Sequence, residues 1–339
     1  MKVKVSEIKN LMTKALSSSG YKNEDIPFII NMYLGGELRG HTSHGLASFK
    51  SFIKHDYNNL PEPETIKATD ACYFMDAKSN SGVLIGRKAA DEAIVRAKKQ
   101  ITGMTLIKNM DSWLRPGAIA EYIAEQGFIA YVVNSGGGAS IAPPGGYEPV
   151  TGTNPIAYGL PMADGAFVVD MATSKRAWGV VRMANKFGTK LPDDTFYDIE
   201  GNVTTDPQKA DAVMPFGEYK GFALALLGEV MTGAMLGMPM LIDSDAGSNF
   251  GEKMPDRGAY ILVIDPSQTV GLDEFKMQVG KYINDINNTR ALPGGKIRIP
   301  GQQAMEKANR AVENGEIDIP DELWAELREL EKDHNYNRE

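Results

Sequence analysis

From Ala71 onward, short apolar runs of strand length alternate with longer amphipathic runs of helix length. That rhythm constrains the fold more than any other feature, because it demands a sheet with helices packed on its faces. The pattern predicts strands over Cys72 to Met75, Met104 to Ile107, Phe128 to Val133, Ile156 to Leu160, Phe167 to Val169 and Tyr260 to Ile264. Between and after them it predicts helices over Val83 to Lys99, Gly117 to Gln126, Lys175 to Lys186 and Lys220 to Gly233. Both ends of the chain read differently, as helices only. Ile8, Leu11, Met12, Ala15 and Leu16 recur at helical spacing, with Ser6 placed to cap that helix and Gly20 to stop it. A second helix is expected from Glu24 to Leu38, a third around Phe49, Phe52 and Ile53, and two more at Gln302 to Glu313 and Asp321 to Leu330. Pro61 and Pro63 mark a boundary, so the expected division is a helical domain from 1–62 and 290–339 beside a central α/β domain at 63–289.

The usual dinucleotide fingerprint, Gly-x-Gly-x-x-Gly, follows none of these strands. The cluster Gly136-Gly137-Gly138 runs on into Ala139, Ser140 and Ile141, and no Gly-Lys-Ser/Thr phosphate loop is present. The α/β domain is therefore expected to be non-Rossmann. A formal net charge of −8 argues against a general nucleic-acid binder, and the single Cys72 excludes an internal disulfide framework and fits a reducing, cytoplasmic setting. The most hydrophobic stretch, Phe222 to Leu241, contains Glu229, glycines and Pro239, and so reads as a buried helix and not a membrane span.

Chemistry concentrates in a few places. Arg39-Gly40-His41-Thr42-Ser43-His44-Gly45 holds two of the four histidines, and small residues flank His44, leaving its ring accessible for proton transfer near neutral pH. A zinc site would have to recruit His55 or His334, and no carboxylate spacing supports one, so no metal is expected. The loops Asn134 to Gly138, Gly152-Thr153-Asn154-Pro155 and Asp170 to Ser174 are rich in glycine and hydroxyls near strand ends. They suit an anion, although glycines that merely turn, with Thr173 and Ser174 capping a helix near Lys175, satisfy the same residues. Lys220 falls at a helix N-terminus, where a cation is poorly placed unless an anion joins it, and Arg115 stands in a similar position before a helix.

Taken in order, several motifs resemble the type-2 malate/L-lactate dehydrogenase family of NAD(P)-dependent oxidoreductases over nearly the whole chain. They are Leu38-Arg39-Gly40-His41-Thr42-Ser43-His44-Gly45, Gly152-Thr153-Asn154-Pro155-Ile156-Ala157, Val169-Asp170-Met171-Ala172-Thr173-Ser174, Asp198-x-x-Gly201-x-x-Thr204-x-Asp206-Pro207, Tyr219-Lys220-Gly221 and Ile299-Pro300-Gly301. The resemblance implies a non-Rossmann α/β fold with a mixed sheet, and a homodimer with active sites near the subunit interface. It also implies NAD or NADP as cofactor and a small acid, carrying C=O or C=N beside its carboxylate, as substrate. It makes His44, beside Ser43, the proton donor. Cofactor contacts are expected at Val168, Val169, Asp170, Met171, Ala172, Tyr219, Lys220, Gly301, Gln302 and Gln303. Substrate contacts are expected at Thr153, Arg115, Ser48 and Ser112. Two departures stand out: Ser48 replaces a common carboxylate-gripping arginine, and Ser112 a common histidine. The run Asn109 to Arg115 is most similar to the 2,3-diketo-L-gulonate reductase branch. The competing reading is a binding or regulatory protein that keeps the scaffold without the catalysis.

Overall fold

A computed structural model gives the structure of the chain and describes residues 1–55, 60–243 and 257–332. The chain opens with strand β1 (Lys2–Lys4), helices α1 (Val5–Ser18) and α2 (Ile26–Leu38), two single turns of 3-10 helix (Thr42–His44 and Leu46–Ser48), and α3 (Phe49–Lys54). Helix α1 buries Ile8, Leu11, Met12, Ala15 and Leu16, each large apolar side chain contributing about 1.5–3 kcal/mol. It stops as expected at Gly20, whose φ of 80° lets the Tyr21 N–H reach the Leu16 carbonyl at 3.2 Å. Ser6 does not cap it. The helix begins one residue earlier, at Val5, whose N–H is satisfied at 2.9 Å by the carbonyl of Gly315.

The central sheet is built from β2 (Glu64–Ala68), β3 (Cys72–Asp76), β4 (Thr102–Met110), β5 (Ile129–Asn134), β6 (Ile156–Met162) and β7 (Gly165–Met171). Helix α4 (Gly82–Gln100) links β3 to β4, α5 (Pro116–Glu125) links β4 to β5, and α6 (Gly179–Phe187) follows β7. Three two-residue strands, β8 (Phe196–Tyr197), β9 (Val203–Thr204) and β10 (Ala212–Val213), form a small sheet of their own. Helix α7 (Tyr219–Thr232) and strand β11 (Arg257–Ile264) come next, then α8 (Leu272–Asn287), α9 (Gln302–Asn314), β12 (Glu316–Asp318) and α10 (Asp321–Lys332).

Seven strands lie in the order β2-β3-β4-β11-β5-β6-β7. Only β3 and β4 run parallel, joined by the α4 crossover, while every other neighbouring pair is antiparallel. The sheet is thus mixed, and it is not doubly wound. One face is covered by α4 and α5, whose Ala89, Ala90, Ala93 and Ala120 are fully buried. On the other face, Val133, Ile156 and Tyr260 pack with Leu224 and Met231 of α7. The two chain ends meet: β1 pairs with β12, and one apolar core runs from Val3 and Ile8 through α2 and α4 to Trp324 and Leu330.

Two expectations need correction. The segment read as a helix from Lys175 turns helical only at Gly179, because its start is tied elsewhere: the Lys175 N–H bonds the Met214 carbonyl at 2.8 Å, and Ser174 Oγ the Arg176 carbonyl at 2.8 Å. Thr173 and Ser174 therefore cap nothing. The stretch read as a buried helix is α7, and it buries its small residues and Glu229 while leaving Leu226, Leu227 and Val230 exposed. No helix among the described residues is long and apolar enough to cross a membrane.

Candidate active site

The His44 turn is held by the C-terminal end of α2. A Cβ on Gly36 would stand 2.6 Å from the His44 carbonyl oxygen, so only glycine lets the turn lie this close to the helix. Next to it the buried Glu37 carboxylate accepts the Leu46 N–H at 3.1 Å. Burial raises the pKa of Glu37, and the Leu46 amide, Lys307 and the Thr42 hydroxyl work against that rise. The ring of His44 is half-buried, less open than its small neighbours suggested. Its pKa falls to about 4, first because of burial and then because the positive charges of Arg182, Arg115 and Arg257 bear on it. At neutral pH the imidazole is uncharged. Ser43 lies in the same turn, with its side chain outside the description, and His334 lies outside the described residues.

The run from Asn109 to Arg115 is the turn between β4 and α5. Asn109 and Leu114 are both left-handed, at φ 54° and 67°, a geometry that asparagine tolerates and leucine adopts at a cost. Ser112 stabilises it locally, its Oγ accepting the Leu114 N–H at 3.0 Å, while buried Trp113 donates from Nε1 to Asn134 Oδ1 at 2.9 Å. This turn delivers Arg115 into the interior, where it is 6% exposed and its Nε and Nη2 have no hydrogen-bond partner. Burial, then Arg39, lower its pKa, with Asp170 and Glu121 opposing. Arg39 is itself paired with Glu121 and donates to the Gly35 carbonyl at 3.0 Å.

Arg115 lines a cavity of about 230 Å³, together with Arg39, His41, Glu121, Asp170 and Gln303. Val168 and Gly301 complete the same wall. Four of the expected cofactor residues, Val168, Asp170, Gly301 and Gln303, thus converge beside Arg115. Strand alternation explains the pattern on β7: Val168 and Asp170 share the cavity face, and Val169 points into the core. Gly301 brings α9 to this strand, since a Cβ there would fall 1.9 Å from the Val168 carbonyl oxygen. Asp170 Oδ2 accepts the Gly117 N–H at 3.0 Å and so anchors the start of α5 beside Arg115. Burial raises its pKa, against the pull of Arg115 and of that amide.

Other expected residues lie apart from this cavity. Met171 is exposed and Ala172 half-buried beyond the cavity end of β7. Tyr219 and Lys220 are exposed on the first turn of α7, with Lys220 Nζ 5.9 Å from the Tyr219 ring centre. Gln302 turns away, donating to Glu306 at 3.1 Å, and half-buried Ser48 takes the N-cap position of α3. Thr153 is half-buried, and its carbonyl accepts both the N–H and the hydroxyl of Thr173, at 2.9 and 2.8 Å. Its neighbour Asn154 is fully buried and structural. Its Nδ2 donates to Thr151, Ala225 and Glu229, and its Oδ1 accepts the Gly136 N–H at 3.0 Å, so it fastens the glycine-rich loop to α7.

Sequence reasoning missed three arginines. Arg39 was visible inside a motif. Arg182 on α6 and Arg257 at the start of β11 carry no local signal, and only the fold lets their charges bear on His44. Arg257 is buried, and its Nη1 lies 3.5 Å from Asp111 Oδ1.

The chain as a whole has relatives among known proteins. The L-sulfolactate dehydrogenase of Methanocaldococcus jannaschii is 30% identical, with 97% of this chain and 96% of that protein covered. Its solved structure superposes with a TM-score of 0.86 at 28% identity, covering 98% of this chain and 97% of the other. The ureidoglycolate dehydrogenase (NAD(+)) of Escherichia coli K12 is 26% identical, over 96% of this chain and 95% of its own length. Residues 3–328 match the malate/L-lactate dehydrogenase family. The chain belongs to that family of oxidoreductases.

Proposed function

We propose that the protein interconverts a small 2-hydroxy acid and its 2-oxo acid, or the corresponding imine and amine, using NAD or NADP. The observation that carries this reading is Arg115, a buried cation without a hydrogen-bond partner at Nε and Nη2, in one cavity with the strand and loop that suit a dinucleotide. An unsatisfied buried guanidinium costs free energy unless a ligand meets it, and its planar fork matches a carboxylate. Bound there, the nicotinamide supplies or accepts the hydride.

The chain's own residues do the rest. Arg115 holds the carboxylate and fixes the adjacent carbon. Neutral His44 is ready to take the hydroxyl proton on a ring nitrogen as the alcohol is oxidised. In reduction the same nitrogen returns the proton to the nascent alkoxide, which requires the charged ring. An anionic substrate offsets the charges of Arg182, Arg115 and Arg257 that disfavour that form, so substrate binding itself raises the histidine pKa. Ser43 and Thr153 are assigned to orienting the substrate. Ser48 and Ser112 stand where the family commonly has arginine and histidine, so the grip on the carboxylate falls to Arg115.

A division into a helical unit of both chain ends, carrying His44, and a central cofactor-binding unit is part of this reading, as is a cytoplasmic setting. So is a homodimer: α8 has no buried residue, and it exposes Met277 and Tyr282 while α7 exposes Leu226 and Leu227. Sedimentation at the monomer mass would remove that assembly. Turnover is tested by reduced-nicotinamide absorbance with a panel of 2-hydroxy, 2-oxo and cyclic imino acids and each cofactor. No activity on any acid would refute the reading.

A further inference from the structure

A second cavity of about 230 Å³ adjoins the first, and the two share Gln303 in their walls. It is lined by Lys296, Arg298 and Arg310, with Glu306, Gln302 and Asn287. In a chain of net charge −8 this is a local reversal of sign, three cations against one carboxylate. The convergence is built by backbone geometry. Lys296 and Arg298 alternate along the segment that leads into α9, and Gln302, Glu306 and Arg310 repeat at four-residue spacing along the helix itself.

Among the described residues, none of the three cations has an ion pair or hydrogen bond, whereas Glu306 Oε1 accepts from Gln302 Nε2 at 3.1 Å. The net excess of two positive charges (3 − 1) corresponds to a phosphate monoester, which carries about −1.5 to −2 at neutral pH. A site made for an unphosphorylated ribose would instead offer a carboxylate to its hydroxyl groups. Here the one carboxylate is already engaged.

We infer that this cavity takes the 2′-phosphate of NADP and makes NADP the preferred cofactor, an inference that rests on the dehydrogenase reading above. The reactive end of the dinucleotide lies in the Arg115 cavity, and the adenosine end crosses the first turn of α9 at Gln303. Arg298 and Arg310 grip the phosphate by guanidinium forks, and Lys296 adds a point charge.

The test is binding, read by nicotinamide fluorescence on the full-length protein, with NADPH and NADH titrated separately. The wild type should bind NADPH at least about tenfold more tightly than NADH. Arg298→Gln and Arg310→Gln should each weaken NADPH about tenfold while leaving NADH within about twofold. Adenosine 2′-monophosphate should displace NADPH better than the 5′ isomer does. Equal affinities for the two cofactors overturn the inference and leave the dehydrogenase reading standing. So does an equal loss for both in the variants, which would place a shared part of the dinucleotide in the cavity. Failure of both cofactors to bind overturns the two readings together.

Discussion

Replacing Arg115 separates a ligand-binding arginine from a structural one. The side chain is 6% exposed, with Nε and Nη2 unpartnered, and its nearest negative charges, Asp170 and Glu121, make no ion pair with it. A structural buried arginine loses about 3–5 kcal/mol of stability when removed, because its partner is left charged and alone. Arg115 makes no ion pair among the described residues, so only its longer-range pull on Asp170 opposes removal, and each unsatisfied polar group costs about 1–3 kcal/mol in the folded state. Arg115→Met should therefore leave the unfolding free energy unchanged or raise it by about 1 kcal/mol, read from urea titration. Activity should move the opposite way. Arg115→Lys keeps the charge but loses the fork, and one charge-assisted contact of about 1.5–3 kcal/mol corresponds to a ten- to hundredfold rise in substrate KM. Cofactor affinity should stay put. A destabilisation of several kcal/mol in Arg115→Met, or an unchanged KM in Arg115→Lys, would refute the reasoning.

His44→Ala should lose about a hundred- to ten-thousandfold in kcat while cofactor binding persists, and full activity would remove His44 from the mechanism. In the wild type, kcat/KM for oxidation should stay flat from alkaline pH down past 6 and fall only near His44's pKa of about 4, because the base must be neutral to accept a proton; a midpoint near 6.5 would show an unperturbed ring. Asn154→Ala should cost about 3 kcal/mol of stability, since it strips partners from Thr151, Glu229 and the Gly136 amide together; a loss under about 1 kcal/mol would contradict its place as the hub joining its own loop, the glycine-rich loop and α7.

The elements that sequence showed are those with a buried face. Helix α1 repeats its apolar residues at helical spacing because one side meets the core, and strands β5 and β6 stand out as nearly continuous apolar runs of strand length. Strand β2 is exposed along its whole length and carries no period to read. Helix α8 does carry one, with Leu272, Phe275, Val279, Ile283 and Ile286 at helical spacing, yet it buries none of them, so its period marks a face without marking a core. Periodicity also says nothing about order, and the insertion of β11 between β4 and β5 follows from no local pattern. In the site, His44, Arg115, Asp170 and Gly301 were legible because each sits in a distinctive short run. Arg182 and Arg257 were not, since their relevance comes from segments far apart in the chain. In the Gly152 to Pro155 loop the asparagine serves the scaffold, and no local pattern separates it from the neighbouring Thr153.

The place of β11 has a consequence for biosynthesis. Residues 257–264 are the middle strand of the sheet, yet they leave the ribosome after all six of their companions. Until then β4 and β5 each present an unpaired edge toward the gap that β11 will fill. A nascent chain carries two such open edges for more than a hundred residues of translation after β5 is made. Open edges pair with whatever strand arrives first. Fragments that stop short of residue 257 should accumulate as aggregates, and the intact chain should gain its protease resistance only once β11 has emerged and slotted between its neighbours.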